Sequence, residues 1–79
     1  MKIEIYGAEW CGYCNQAKRL CESKSMEFDY IDVDDTKNLR ELEIRMGSRA
    51  KTVPQIFIDG KLLMGGYVGL QQELSNVIR

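Results

Sequence analysis

The chain has 79 residues, a formal net charge of -1, three cysteines and no histidine. So short a chain makes one domain, residues 1–79, whose modest core buries only about two-thirds of the unfolded surface. The balanced charge, with no Lys/Arg stripe, argues against a nucleic-acid partner, the apolar runs fall far below the roughly 20 residues that span a bilayer, and the missing histidine removes the usual general base and the commonest metal ligand.

The elements follow in chain order. Residues 2–6 alternate apolar and polar side chains and read as a strand. Residues 12–24 read as a helix, with Ala17, Leu20 and Cys21 on its apolar face. Phe28, Tyr30, Ile31 and Val33 mark a second strand closed by the turn-prone Asp34-Asp35. Thr36 is the expected N-cap of a second helix that carries Leu39, Leu42, Ile44 and Met46 and stops at Gly47. Residues 53–58 form a third strand, Asp59-Gly60 a tight hairpin turn, and residues 61–64 a returning fourth strand. Gly65-Gly66 breaks the sheet, and residues 67–78 close the chain as a third helix with Leu70, Leu74, Val77 and Ile78 apolar.

The order β-α-β-α-β-β-α predicts an α/β domain. The first two strands run parallel through a right-handed crossover. The last two form an antiparallel hairpin. The result is a four-stranded mixed sheet with three helices on its faces, the arrangement of a minimal thioredoxin fold.

Cys11-Gly12-Tyr13-Cys14 lies at the junction of the first strand and first helix. Residues i and i+3 of a helical turn share a face, and their Cα atoms sit about 5–6 Å apart, within the range a disulfide tolerates. Cys11 falls at the helix start, where unpaired N–H groups and the positive end of the macrodipole favour a thiolate. Cys14 falls one turn in, deeper and less activated. Cys11 is therefore the expected attacking sulfur and Cys14 the resolving one, the pattern of thiol–disulfide exchange. An acidic thiol gains thiolate but loses intrinsic nucleophilicity, so its larger advantage is as a leaving group. Zinc would need about four soft or imidazole ligands, and one Cys-x-x-Cys with a distant third cysteine does not supply them; no metal is expected. An odd cysteine count with two in one turn is not the stapled framework of a small secreted domain. With no charged-then-apolar leader in view, the expectation is a soluble, cytoplasmic protein with reduced thiols and no membrane partner.

Two further segments bear on the site. Pro54, the single proline, opens the third strand. Spacing alone favours a trans bond at the start of an edge strand. A cis bond would expose the Val53 backbone for pairing with an extended peptide. Gly65-Gly66 reads alone as a flexible turn, although the N–H groups of Val68 and Gly69 at the start of the last helix are suited to a carboxylate.

Taken together, Cys11-Gly12-Tyr13-Cys14, Thr52-Val53-Pro54-Gln55-Ile56-Phe57-Ile58 and Gly65-Gly66-Tyr67 resemble the glutaredoxin family across essentially the whole chain. The resemblance implies a thioredoxin fold and a dithiol enzyme that reduces protein disulfides and glutathione mixed disulfides with glutathione as electron donor. It implies Cys11 as nucleophile, Cys14 as resolving thiol and Pro54 in the cis form. It further implies a glutathione site at Tyr13, Thr52, Val53, Pro54, Gly66, Tyr67 and Val68. In that site the Val53 backbone pairs with the cysteinyl part, and the backbone from Gly66 to Gly69 receives the γ-glutamyl carboxylate. Disulfide-bearing client proteins follow, ribonucleotide reductase among them, with a monomeric enzyme. Three positions depart from the family's pattern. Ala8, followed by Glu9, stands where a basic residue often precedes the first cysteine. Gly69 stands where an acidic residue often meets the glutathione amine. Trp10-Cys11-Gly12 resembles thioredoxin. Two alternatives therefore accompany the main reading: a glutaredoxin-like thioredoxin re-reduced by thioredoxin reductase, and a dimer bridging a [2Fe-2S] cluster through Cys11 and glutathione.

The remaining candidates read more plainly. Cys21, two turns beyond Cys14, reads as a small buried hydrophobe, with a regulatory thiol as the alternative. Trp10 flanks the site. Asp29, Asp32, Asp34 and Asp35 are a solvated strand end and turn. Arg49 and Lys51 are ordinary surface charges, or else replacements for the missing cation near the site.

Overall fold

The structure, a computed structural model, describes residues 1–75. Its elements are β1 (Ile3–Gly7), α1 (Gly12–Ser23), β2 (Phe28–Asp32), α2 (Thr36–Met46), β3 (Gln55–Ile58), β4 (Lys61–Leu62) and α3 (Gly66–Ser75). The sheet order is β2-β1-β3-β4. β1 runs parallel to β2 and antiparallel to β3, and β3 and β4 form an antiparallel hairpin. Fold class and element order are as the sequence implies.

Strand alternation builds two half-cores. Ile3 and Ile5 of β1 and Ile56 of β3 point to one face, where Ala17 and Cys21 of α1 and Leu70 and Leu74 of α3 cover them. Tyr6 and Phe57 point to the other face and meet Leu42 of α2 together with Cys11 and Cys14. Tyr6 and Phe57 pack edge to face, 5.7 Å apart. Glu4 shares that face, and its carboxylate receives a two-pronged hydrogen bond from Arg45 of α2, at 3.0 and 3.1 Å. The same guanidinium donates to Tyr6 Oη at 2.8 Å and lies 3.9 Å from the Phe57 ring centre. A charge on an inward strand position is thus matched by the one helix that covers it. No described helix is long and apolar enough to cross a membrane.

Several boundaries differ from the sequence reading, each for a local reason. The N-cap of α2 is Asp35, whose carboxylate accepts from the Lys37 amide at 2.9 Å; Thr36 is the first helical residue. Both residues are good caps, and the carboxylate outcompetes the hydroxyl. β3 begins at Gln55 rather than residue 53, because Pro54 has no N–H to give to the ladder. β4 covers two residues instead of four; one further bond, Leu63 N–H to Ile56 O at 2.8 Å, ends the pairing before the chain turns at Gly65. Ile44 on α2 faces solvent. Val77 and Ile78 lie outside the described residues.

Candidate active site

β1 delivers the chain to the cysteine loop and α1 carries it away. Cys11 is the N-cap of α1: its sulfur accepts the Cys14 amide at 3.2 Å. An N-cap is ordinarily Ser, Thr, Asp or Asn; here a sulfur takes that place and receives the hydrogen bond a helix start has to offer. The Cys11 thiol also points at the Val53 carbonyl, 3.6 Å away. Cys11 is 8% exposed and Cys14 fully buried. Burial, followed by the hydrogen bond and charge of Cys11, holds the Cys14 thiol well above the ordinary thiol range. Cys14 is therefore protonated near neutral pH. The Cys11 and Cys14 sulfurs are not bonded to each other in this structure.

The Val53–Pro54 bond is cis. The trans form that spacing alone favoured is corrected, and the form implied by family resemblance is the one present. Gly65 and Gly66 both have positive φ, 90° and 54°. A side chain on Gly66 would come within 3.1 Å of the Pro54 carbonyl. The pair is therefore more than a flexible turn: it seats the start of α3 against the proline loop.

Tyr13, Thr52, Val53, Pro54, Gly66, Tyr67 and Val68 all line one open groove of about 600 Å³, a size typical of small-ligand sites. It abuts Cys11 through Val53, the residue whose carbonyl faces the sulfur. Tyr13 and Tyr67 meet across 6.0 Å. Leu62, Leu63 and Met64, expected only as strand, add apolar lining. A second depression, near Met1, Phe28 and Asp59, lies at the opposite end of β1 and is lined by no cysteine.

Trp10 stands beside the cysteine loop, 72% exposed, its indole N–H donating to Asp34 at 3.2 Å. The aspartates of that region have local tasks: Asp34 holds Trp10, Asp32 accepts the Asp34 amide, and Asp35 caps α2. Among the described residues no three His, Cys, Asp or Glu side chains cluster as a metal site would require. Arg49 and Lys51 are exposed. Cys21 is fully buried, and burial, with a smaller contribution from Glu22, pushes its thiol up to about 11. Sequence reasoning missed Tyr30, whose hydroxyl lies beside Cys14 under the loop. The only signal was its alternation on β2, and that does not reveal which atoms of β1 it meets.

A redox-competent Cys-x-x-Cys at the end of β1, opposite a cis-proline loop, on a four-stranded thioredoxin-fold sheet defines a thiol–disulfide oxidoreductase. A family model for glutaredoxin matches residues 3–63. Glutaredoxin 3 of Escherichia coli K12 is 43% identical over 63 residues, covering 80% of this chain and 75% of the relative. The crystal structure of glutaredoxin 1 from Francisella tularensis, complexed with cacodylate, superposes with a TM-score of 0.74 at 31% identity, covering 94% of this chain and 92% of that one. The buckwheat glutaredoxin–glutathione complex superposes with a TM-score of 0.72 at 26% identity, over 94% of this chain and 68% of that one. The chain belongs to the glutaredoxin family.

Proposed function

We propose that the chain is a glutathione-dependent dithiol glutaredoxin that reduces protein disulfides and glutathione mixed disulfides. The Cys11 thiolate attacks one sulfur of the client disulfide, forming a mixed disulfide and releasing a client thiolate. Cys14 loses its proton and attacks the Cys11 sulfur. The second client thiol leaves, and the enzyme remains with a Cys11–Cys14 disulfide. One glutathione thiolate then opens that disulfide at Cys11. A second glutathione attacks the resulting mixed disulfide, yielding glutathione disulfide and the reduced enzyme.

The observation that carries this reading is the single groove that gathers all seven implied glutathione contacts and ends at the carbonyl facing the Cys11 sulfur. The Val53 backbone offers strand-like pairing to the cysteinyl unit of glutathione. The first amides of α3, presented by Gly66, Tyr67 and Val68, offer donors to a carboxylate. The family's solved glutathione complex from buckwheat supports the same choice of ligand. A cytoplasmic setting and ribonucleotide reductase as one client belong to the same reading.

The test is re-reduction of the oxidised chain, followed by NADPH consumption. Turnover with glutathione and glutathione reductase is expected, and little with thioredoxin reductase. The reverse preference would replace this reading with the thioredoxin-like one that Trp10-Cys11-Gly12 and Gly69 favour.

A further inference from the structure

The parallel register pairs Tyr30 of β2 with Ile5 of β1, and the phenol reaches toward Gly7 at the end of that strand. Its hydroxyl is buried, and among the described residues it has no partner of hydrogen-bonding geometry. A buried O–H left unpaired costs free energy, and such a group calls for an explanation. A methyl group placed on Gly7 would lie 2.7 Å from Tyr30 Oη and 2.8 Å from Cys14 Sγ. Oxygen and sulfur therefore converge on the same bare Cα, and glycine leaves the space between them open. Above the ring, Lys18 of α1 holds its ammonium 4.5 Å from the ring centre. A cation there draws electron density from the phenol and strengthens its O–H as a donor.

Burial, and after it the charges of Cys14, Cys11 and Asp32, push the phenol up to about 12. Tyr30 thus keeps its proton near neutral pH and is available as a donor, not a base. The titratable and charged groups facing it are Cys14 and Lys18 of α1, Cys11 at that helix's cap, and Asp32 on its own strand.

We propose that Tyr30 is a positioning residue for the resolving step: its hydroxyl closes a hydrogen bond onto Cys14 Sγ as that sulfur becomes a thiolate and holds it for attack on Cys11. The proposal rests on Cys14 being the resolving thiol. The step balances without an added reagent. The Cys14–Cys11 S–S bond forms, the S–S bond from Cys11 to the captured group breaks, and the proton lost by Cys14 ends on the departing thiolate or in solvent. The Tyr30 proton stays on oxygen.

A symmetrical nitroaryl disulfide separates the two events, because each releases one coloured aryl thiolate. Capture by Cys11 gives the first release and attack by Cys14 the second. Losing a hydrogen bond to a charged sulfur should lower the Cys14 thiolate population roughly tenfold. Greater intrinsic nucleophilicity recovers about threefold of that at a Brønsted slope of about 0.45. In Tyr30→Phe the second phase should slow about threefold relative to the first at neutral pH, and its pH profile should move up by about one unit. Lys18→Met should move both readouts the same way by less. An unchanged phase ratio and an unmoved profile in Tyr30→Phe would overturn the proposal, as would equal slowing of both phases, which marks a merely structural role. Should circular dichroism show Tyr30→Phe unfolded, the decision passes to Lys18→Met, where an unmoved profile overturns it. A wild-type chain with no second phase, indistinguishable from Cys14→Ser, sinks the assignment of Cys14 and the proposal with it. That trace cannot be confused with a second phase that is present and indifferent to Tyr30.

Discussion

The backbone amide of Cys14 donates to the Cys11 sulfur at 3.2 Å, so the second cysteine serves the first before any disulfide forms. Its main chain anchors the Cys11 sulfur, while its side chain lies buried and protonated behind it. The two roles belong to different atoms of one residue and come apart under mutation.

Cys11→Ser should abolish every thiol-exchange activity, since no other cysteine is accessible. Cys14→Ser keeps the amide and the fold, and should abolish reduction of protein disulfides while sparing removal of glutathione from mixed disulfides. Parallel assays on an intramolecular disulfide client and a glutathionylated peptide check this. Equal loss of both activities in Cys14→Ser would contradict the assigned roles.

The Glu4–Arg45 pair gives the fold an acid-sensitive element. The hydrogen bond from Arg45 holds the Glu4 carboxyl below its ordinary range, aided by the charges of Arg45 and Lys2 and opposed by burial. A carboxyl lowered in the folded state stabilises the fold above its unfolded value, and that stability is lost as pH falls through the lowered folded value. For a pair this well sheltered, Glu4→Gln should cost about 1–2 kcal/mol at neutral pH. Urea titrations should show the gap between wild type and variant closing in strong acid.

Cys21 behaves in the opposite sense. Its thiol, raised from 9.0 to about 11 mainly by burial, favours the fold fully below the unfolded value, and that contribution is lost as pH rises from about 9 through 11. The linked loss is on the order of 2–3 kcal/mol. Cys21→Ala should flatten the alkaline limb of the stability profile relative to wild type. At mildly alkaline pH, iodoacetamide should label Cys11 in the native chain and leave Cys21 untouched until urea is added.

Gly69 tests the departure from the family's acidic position. A Cβ there would run into the carbonyl of Met64 and press on Leu63, so the loop before α3 occupies the room a side chain needs. Gly69→Glu should destabilise the chain by about 1–3 kcal/mol and raise, not lower, the KM for glutathione, because the displaced Met64 loop lines the groove. A tighter KM with unchanged stability would show that the loop yields freely.

Much of this was legible in the chain itself. Alternation in β1 and the i, i+4 spacing of Ala17 and Cys21 in α1 located those elements to within a residue. Three separated segments anticipated the groove that the fold assembles from them. What escaped the sequence depended on competition or on register. Asp35 and Thr36 are both good caps, and only the chain's approach to α2 decides between them. Ile44 is apolar yet faces water, because α2 covers the sheet with one side only. Tyr30 looked like an ordinary strand aromatic. Its position beside Cys14 follows from its pairing with Ile5 and from the absence of a side chain at Gly7, and neither is a property of any local stretch of sequence.

Trp10 is the sole tryptophan, and its indole, tethered to Asp34, stands in water at the edge of the cysteine loop. The molecule therefore carries an intrinsic fluorophore next to the Cys11 sulfur. Quenching or a blue shift on mixing with a client would report docking in real time, without a label.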